Sequence, residues 1–199
     1  MCSKIPSNIS DVSKLLLEES RRHNIPTINQ DDALVIYAIV YTYASITTEK
    51  EILAIDAGAG IGYSTLWIAK ALNDSCYGKY CKVVAIERDF VKHTISKRLY
   101  EKHVNFERVT IELVNSDAIS YIETLSNPAD MAFVDIDKRE YPRILKKLTL
   151  KIKLGGIVMF HNALFPPPPS EFFKLAFNKP WKATLIPTEL GILLAIRGE

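Results

Sequence analysis

Asp56, Gly58, Gly60 and Gly62 stand at alternate positions directly after the apolar run Ile52-Leu53-Ala54-Ile55, and Tyr63-Ser64-Thr65 open a helical stretch behind them. Glycine tolerates positive φ and lets a ligand lie against bare backbone. A helix start turns its free N–H groups back toward such a bend, where an anionic group can sit. Residues 52–65 therefore predict a nucleotide-sized pocket at the C-terminal end of a buried strand. A dinucleotide fingerprint would require its third glycine at position 63, which is Tyr63; the glycine comes one place early, at Gly62. A merely structural strand-to-helix turn is the alternative reading of the glycines alone.

A second acid ends the next apolar run, Lys82-Val83-Val84-Ala85-Ile86-Glu87, one βαβ unit further along. A carboxylate there can accept both hydroxyls of a ribose. Its alternative role is a negative charge at the start of the helix that begins near Asp89. Taken together, the acid-x-Gly-x-Gly-x-Gly loop and Glu87 resemble the first motifs of the class I S-adenosylmethionine-dependent methyltransferases. The resemblance implies a cofactor-binding set of Asp56, Gly58, Gly60, Gly62, Tyr63, Ser64, Glu87 and Arg88. Within it, the backbone N–H groups of Tyr63 and Ser64 receive the cofactor's carboxylate. Asp117 and Ala118 extend the set, because an acid followed by a small residue contacts the adenine amino group in that family. Asp117 is also a natural N-cap, and both roles can hold at once.

The fourth apolar run, Met131-Ala132-Phe133-Val134, leads into Asp135-Ile136-Asp137-Lys138-Arg139-Glu140-Tyr141. Asp-x-Asp-Lys-x-x-Tyr resembles the small catechol and caffeoyl-coenzyme A type O-methyltransferases. The likeness implies that Asp135 lies beside the cofactor and binds a divalent metal, and that Lys138 helps take the proton from the hydroxyl nucleophile. Otherwise Lys138 is an exposed residue in the first turn of a helix. The fifth run, Gly155-Gly156-Ile157-Val158-Met159-Phe160, ends in His161-Asn162, where the family has Asp-Asn as metal ligands. Asp135, His161 and Asn162 are thus the expected metal set. Imidazole in place of a carboxylate shifts preference from magnesium toward transition metals. His161 could equally abolish the metal, act as the base itself at neutral pH, or only hydrogen-bond across the pocket floor.

These groups need elements to hold them. Strands are predicted at 52–56, 82–87, 109–114, 130–135 and 155–160, alternating with helices at 63–73, 90–103, 117–125 and 140–152. Residues 182–187 and 192–197 read as a hairpin, and helices at 11–22 and 31–45 precede the alternation. The fold class is α/β: a Rossmann-like, seven-stranded, mostly parallel sheet with helices on both faces, a C-terminal antiparallel hairpin and extra N-terminal helices. Residues 1–199 form one domain, in which residues 1–47 contribute to the acceptor pocket. A second departure from the family lies at Pro187-Thr188-Glu189-Leu190-Gly191, where relatives often carry Pro-x-x-Asp-Gly.

The composition fits an ordinary globule of 199 residues: 48% hydrophobic, 24% charged, with a net charge of +2. That charge marks no polyanion-binding surface, and no aromatic-rich basic patch points to nucleic acid. No apolar run has the length of a membrane span, and the start of the chain lacks a secretory signal; a cytoplasmic protein is the expectation. Cys76 and Cys81 have no partner cluster for zinc. They could bridge a short loop in an oxidising or very hot setting, and the spacing leaves this open. A single glutamine amid many Lys, Glu and Ile residues fits a heat-adapted source. The expected activity is O-methylation of a small hydroxylated acceptor, and the resemblance implies a homodimer. RNA or protein methylation, and a non-catalytic cofactor-binding protein with a decayed metal site, are the competing readings.

Overall fold

Seven strands make one sheet, in a computed structural model that describes residues 9–199. Cys2 and the start of the chain, on which the expectation of no secretory signal rests, lie outside the described residues. In chain order the elements are α1 (Ile9–His23), α2 (Gln30–Ile46), β1 (Glu51–Ala57), α3 (Tyr63–Ser75), β2 (Tyr80–Glu87), α4 (Phe90–His103), β3 (Val109–Asn115), α5 (Ala118–Thr124), β4 (Ala129–Val134), a 3-10 turn (Lys138–Glu140), α6 (Tyr141–Lys151), β5 (Ile152–Phe160), α7 (Ser170–Ala176), β6 (Trp181–Ile186) and β7 (Ile192–Arg197). The strand order is β3-β2-β1-β4-β5-β7-β6. β1 to β5 pair in parallel, and β7 runs antiparallel to both β5 and β6. The expected α/β sheet, parallel apart from one reversed strand, is thus what forms.

Period-two alternation explains why helices cover both faces. Ile52, Ala54, Val83, Met131, Phe133, Ile157 and Met159 enter one core with α1 to α4. Val84, Ile86, Ala132, Val134, Val158 and Phe160 enter the other, with residues of α5, α6 and α7. The order reverses between β1 and β4. Their carboxyl ends form the switch point where doubly wound sheets take ligands.

Two local readings are corrected and one open question is settled. β5 begins at Ile152 rather than 155, because Ile152 pairs with Ala129 before the register shifts toward Met131. The segment after Pro166-Pro167-Pro168-Pro169 holds an unforeseen helix, α7. Its Phe172 is fully buried against Tyr141 and Phe160, ring centroids 5.3 and 4.7 Å away. Cys76 and Cys81 are joined as a disulfide across the α3–β2 turn, which settles a pairing that spacing alone left open. Among the described residues, no helix is long and apolar enough to cross a membrane.

Candidate active site

Strand parity gathers the polar groups. Asp56 continues the Ile52, Ala54 side of β1, Glu87 the Val83 side of β2, Asp135 the Met131, Phe133 side of β4, and His161 the Ile157, Met159 side of β5. All four therefore emerge at carboxyl strand ends on the face that α2 and α3 cover. Register keeps neighbours level: Ala57 pairs with Val134, and Val134 with Phe160.

The glycine turn is built by close approach. Gly58, Gly60 and Gly62 have φ of +91°, +57° and +90°. A Cβ on Gly58 would lie 2.2 Å from the Asp135 carbonyl oxygen, so β1 and β4 leave no room for a side chain there. Glu87 ties the turn down. Its Oε2 accepts the Gly60 N–H at 2.8 Å and its Oε1 the Asp89 N–H at 2.8 Å. Each oxygen keeps a further lone pair for a ligand. Gly62, the N-cap of α3, offers no side-chain cap, so the first N–H groups of that helix, including those of Tyr63 and Ser64, have none. The Tyr100 hydroxyl, which the sequence did not single out, donates to the Gly62 carbonyl.

Asp56 lies beneath this turn, fully buried. Its Oδ2 accepts the hydroxyls of Ser64 at 2.7 Å and Thr65 at 2.5 Å, while Oδ1 has no partner. Burial is the main cause of its pKa rising to about 6, against the lowering effect of the two hydroxyls. A carboxyl whose pKa is higher in the fold than in the unfolded chain favours folding at low pH. That contribution is lost as pH rises through the folded value. From 3.8 to about 6 is roughly two units, or about 3 kcal/mol. Asp56→Asn removes the titration, so its stability relative to the parent is expected to improve by about 3 kcal/mol between about pH 4 and pH 7. Urea denaturation at the two pH values checks this, and parallel profiles would refute it.

A cleft of about 200 Å³ opens outside the switch point, lined by Gly58, Glu87, Asp117, Asp135, Ile136 and Glu140 among others. Arg88 and Ala118 line it too, and the Arg88 guanidinium lies 3.7 Å from the Glu140 carboxylate. Asp117 caps α5, accepting the Ser120 N–H at 2.8 Å and its hydroxyl at 2.9 Å. The backbone bond foremost holds the Asp117 carboxyl below its ordinary value. Capping leaves Asp117 on the cleft wall, so its two expected roles share one position.

Behind Asp135, which lines the cleft, the arrangement differs from the expectation. His161 is buried; its Nε2 lies 2.9 Å from Asp32 Oδ2 and its Nδ1 3.3 Å from Asp135 Oδ2. The second contact falls short of a hydrogen bond, so Nδ1 faces the Asp135 carboxylate without a hydrogen-bond partner. Burial lowers the His161 pKa, but Asp135 and then Asp32 outweigh it, and the net shift is upward. Both ring nitrogens thus face carboxylates. Asn162, at φ +52°, directs its amide to the Phe165 carbonyl at 3.4 Å. Among the described residues, no cluster of three or more His, Cys, Asp or Glu could hold a metal ion. Asp135, His161 and Asn162 do not converge as a three-ligand set: the Asn162 amide turns to Phe165, and His161 Nδ1, without a hydrogen-bond partner, faces Asp135 alone. Lys138 sits half-buried on the 3-10 turn, where no hydrogen bond or ion pair to another described side chain fixes its Nζ against the cleft.

Asp32 escaped the sequence reading because an acid in the first turn of a helix is ordinary. Nothing local announces a partner 129 positions away. Tyr141 was visible only as a motif letter; its buried hydroxyl donates to the His161 carbonyl at 2.9 Å and the Val134 carbonyl at 3.3 Å, pinning the ends of β4 and β5 together.

The sequence model of the O-methyltransferase family matches residues 13–167, which span every group described above. The chain belongs to the O-methyltransferase family. This O-methyltransferase family member is 31% identical over 115 residues to tapetum-specific methyltransferase 1 of Arabidopsis thaliana, covering 56% of the chain and 46% of the relative. It is 27% identical over 126 residues to the caffeoyl-CoA O-methyltransferase of Stellaria longipes, covering 60% and 49%. The chain thus spans about half the length of the curated relatives it matches. The crystal structure of an O-methyltransferase from Bacillus cereus, in complex with SAH, shares its fold with a TM-score of 0.72 at 19% identity, covering 98% of this chain and 93% of that one.

Proposed function

We propose that the chain is an S-adenosylmethionine-dependent methyltransferase acting on the hydroxyl of a small acceptor. The observation that carries this reading is Glu87, held at the cleft floor by the N–H groups of Gly60 and Asp89, with lone pairs left for two ribose hydroxyls. The orphaned Oδ1 of Asp56 adds to the fit, since a cationic ligand above the turn would offset a buried negative group.

When bound, the cofactor supplies a sulfonium methyl with a good leaving group. The chain's own work is orientation and proton removal. The uncapped start of α3, at Tyr63 and Ser64, receives a carboxylate. Gly58, Gly60 and Gly62 let that ligand lie on backbone, Asp117 and Ala118 bound its base, and Arg88 flanks its sugar. Asp135 and Lys138, at the end of β4, are the groups from which a base is drawn. Residues 1–199 work as one domain in this reading. Its N-terminal helices and their connection help shape the acceptor side: Ile25 and Pro26, between α1 and α2, approach the position a Cβ would take on Gly60 at 3.7 and 3.9 Å, and Asp32 of α2 reaches His161.

Titration calorimetry tests the reading. Heat is expected with S-adenosylmethionine and S-adenosylhomocysteine and none with NAD or ATP. Binding of NAD or ATP alone would overturn it. Methyl transfer to a panel of catechols then identifies the acceptor class.

A further inference from the structure

Asp32 is fully buried in the first turn of α2, and its carboxylate points at His161. A buried carboxylate costs several kcal/mol unless a partner compensates. The helix start does not call for it, because the Asn29 side chain already caps α2 through the Asp32 N–H at 2.7 Å. Asp32, His161 and Asp135 form one row from the interior to the cleft, with side-chain exposures of 0%, 4% and 32%. Only the last can meet an acceptor. A carboxylate on one ring nitrogen fixes the plane and tautomer of an imidazole and directs the other nitrogen.

We propose that the Asp32–His161 pair takes the place of a divalent cation at this site, backing Asp135 as the base so that methyl transfer runs without a metal. The proposal rests on the methyltransferase reading above. In the step, the acceptor O–H bond breaks and its proton goes to Asp135 Oδ1, the oxygen not turned to His161. The acceptor oxygen forms the new bond to the methyl carbon. The C–S electron pair stays on sulfur, which loses its positive charge. Asp135 is the catalytic residue; His161 and Asp32 position it, and neither touches the acceptor.

Metal uptake gives a readout independent of turnover. Titrated with millimolar Mn²⁺ and followed by electron paramagnetic resonance, the parent protein is expected to leave the free-ion signal intact. His161→Asp, which restores a carboxylate facing Asp135, is expected to quench it. Quenching by the parent, or no quenching by His161→Asp, overturns the proposal. In turnover with catechol, parent activity is expected to survive EDTA, and activity that vanishes with EDTA and returns with Mn²⁺ or Mg²⁺ also overturns it. Asp32→Asn is expected to lower kcat by about 100-fold while KM for S-adenosylmethionine stays within about threefold. An unchanged kcat overturns the positioning role. If Asp32→Asn fails to fold, the His161→Asp titration still decides. Absence of cofactor heat would sink the methyltransferase reading separately, whatever Mn²⁺ does.

Discussion

Glu87→Ala is expected to weaken S-adenosylmethionine binding by about 100-fold or more, the largest single loss of affinity in the site. Two charge-assisted hydrogen bonds to ribose hydroxyls at about 1.5 kcal/mol each amount to about 3 kcal/mol, and 1.4 kcal/mol is tenfold in affinity. The substitution also releases the Gly60 and Asp89 N–H groups that the carboxylate now holds at 2.8 Å each, so the turn that must meet the ligand loses its anchor. Glu87→Gln keeps one acceptor oxygen and is expected to lose only about tenfold. Calorimetry on the three proteins, with circular dichroism to show that the sheet persists, measures both steps. Glu87→Ala binding within about threefold of the parent would remove Glu87 from the ligand site.

Gly58→Ala carries the largest expected stability loss, about 3–4 kcal/mol. Its Cβ would meet the Asp135 carbonyl oxygen at 2.2 Å and carbon at 2.8 Å. That backbone cannot drift, because the Asp135 N–H is bonded to the Ala57 carbonyl at 2.8 Å. Gly155 is an internal control: its φ is +76°, yet nothing lies within 4 Å of its Cβ position. Gly155→Ala is expected to cost about 1 kcal/mol, the conformational penalty alone. Urea denaturation of both variants separates steric exclusion from backbone preference, and equal losses would show that the β1–β4 approach is not tight.

Local pattern carried the fold a long way. The apolar runs ending at Asp56, Glu87 and Asp135 announced three strand ends, and parity within each run determines which side chains share a face. His161 was legible as a strand-end residue for the same reason. Its environment was not, because Asp32 belongs to a helix whose own sequence explains an early acid without any distant contact. α7 was hidden behind four prolines, although Phe172 and Phe173 supply apolar residues that a short helix can dock. The Cys76–Cys81 bridge depends on two side chains meeting across a turn, and spacing sets an upper bound on that distance without aiming the thiols.

The hairpin has a consequence for synthesis. β7 follows β6 in the chain but lies inside it, next to β5. While the chain leaves the ribosome, β1 to β5 can assemble in order. The outer hydrogen-bonding side of β5, from Ile157 to Phe160, then stays uncovered until Ile192 to Arg197 emerges to pair with it. β6 cannot shield that side early, since its ladder partner is β7 alone. The nascent protein therefore passes through a stage with a bare apolar strand margin, the kind of surface that invites pairing with another chain and that chaperones protect.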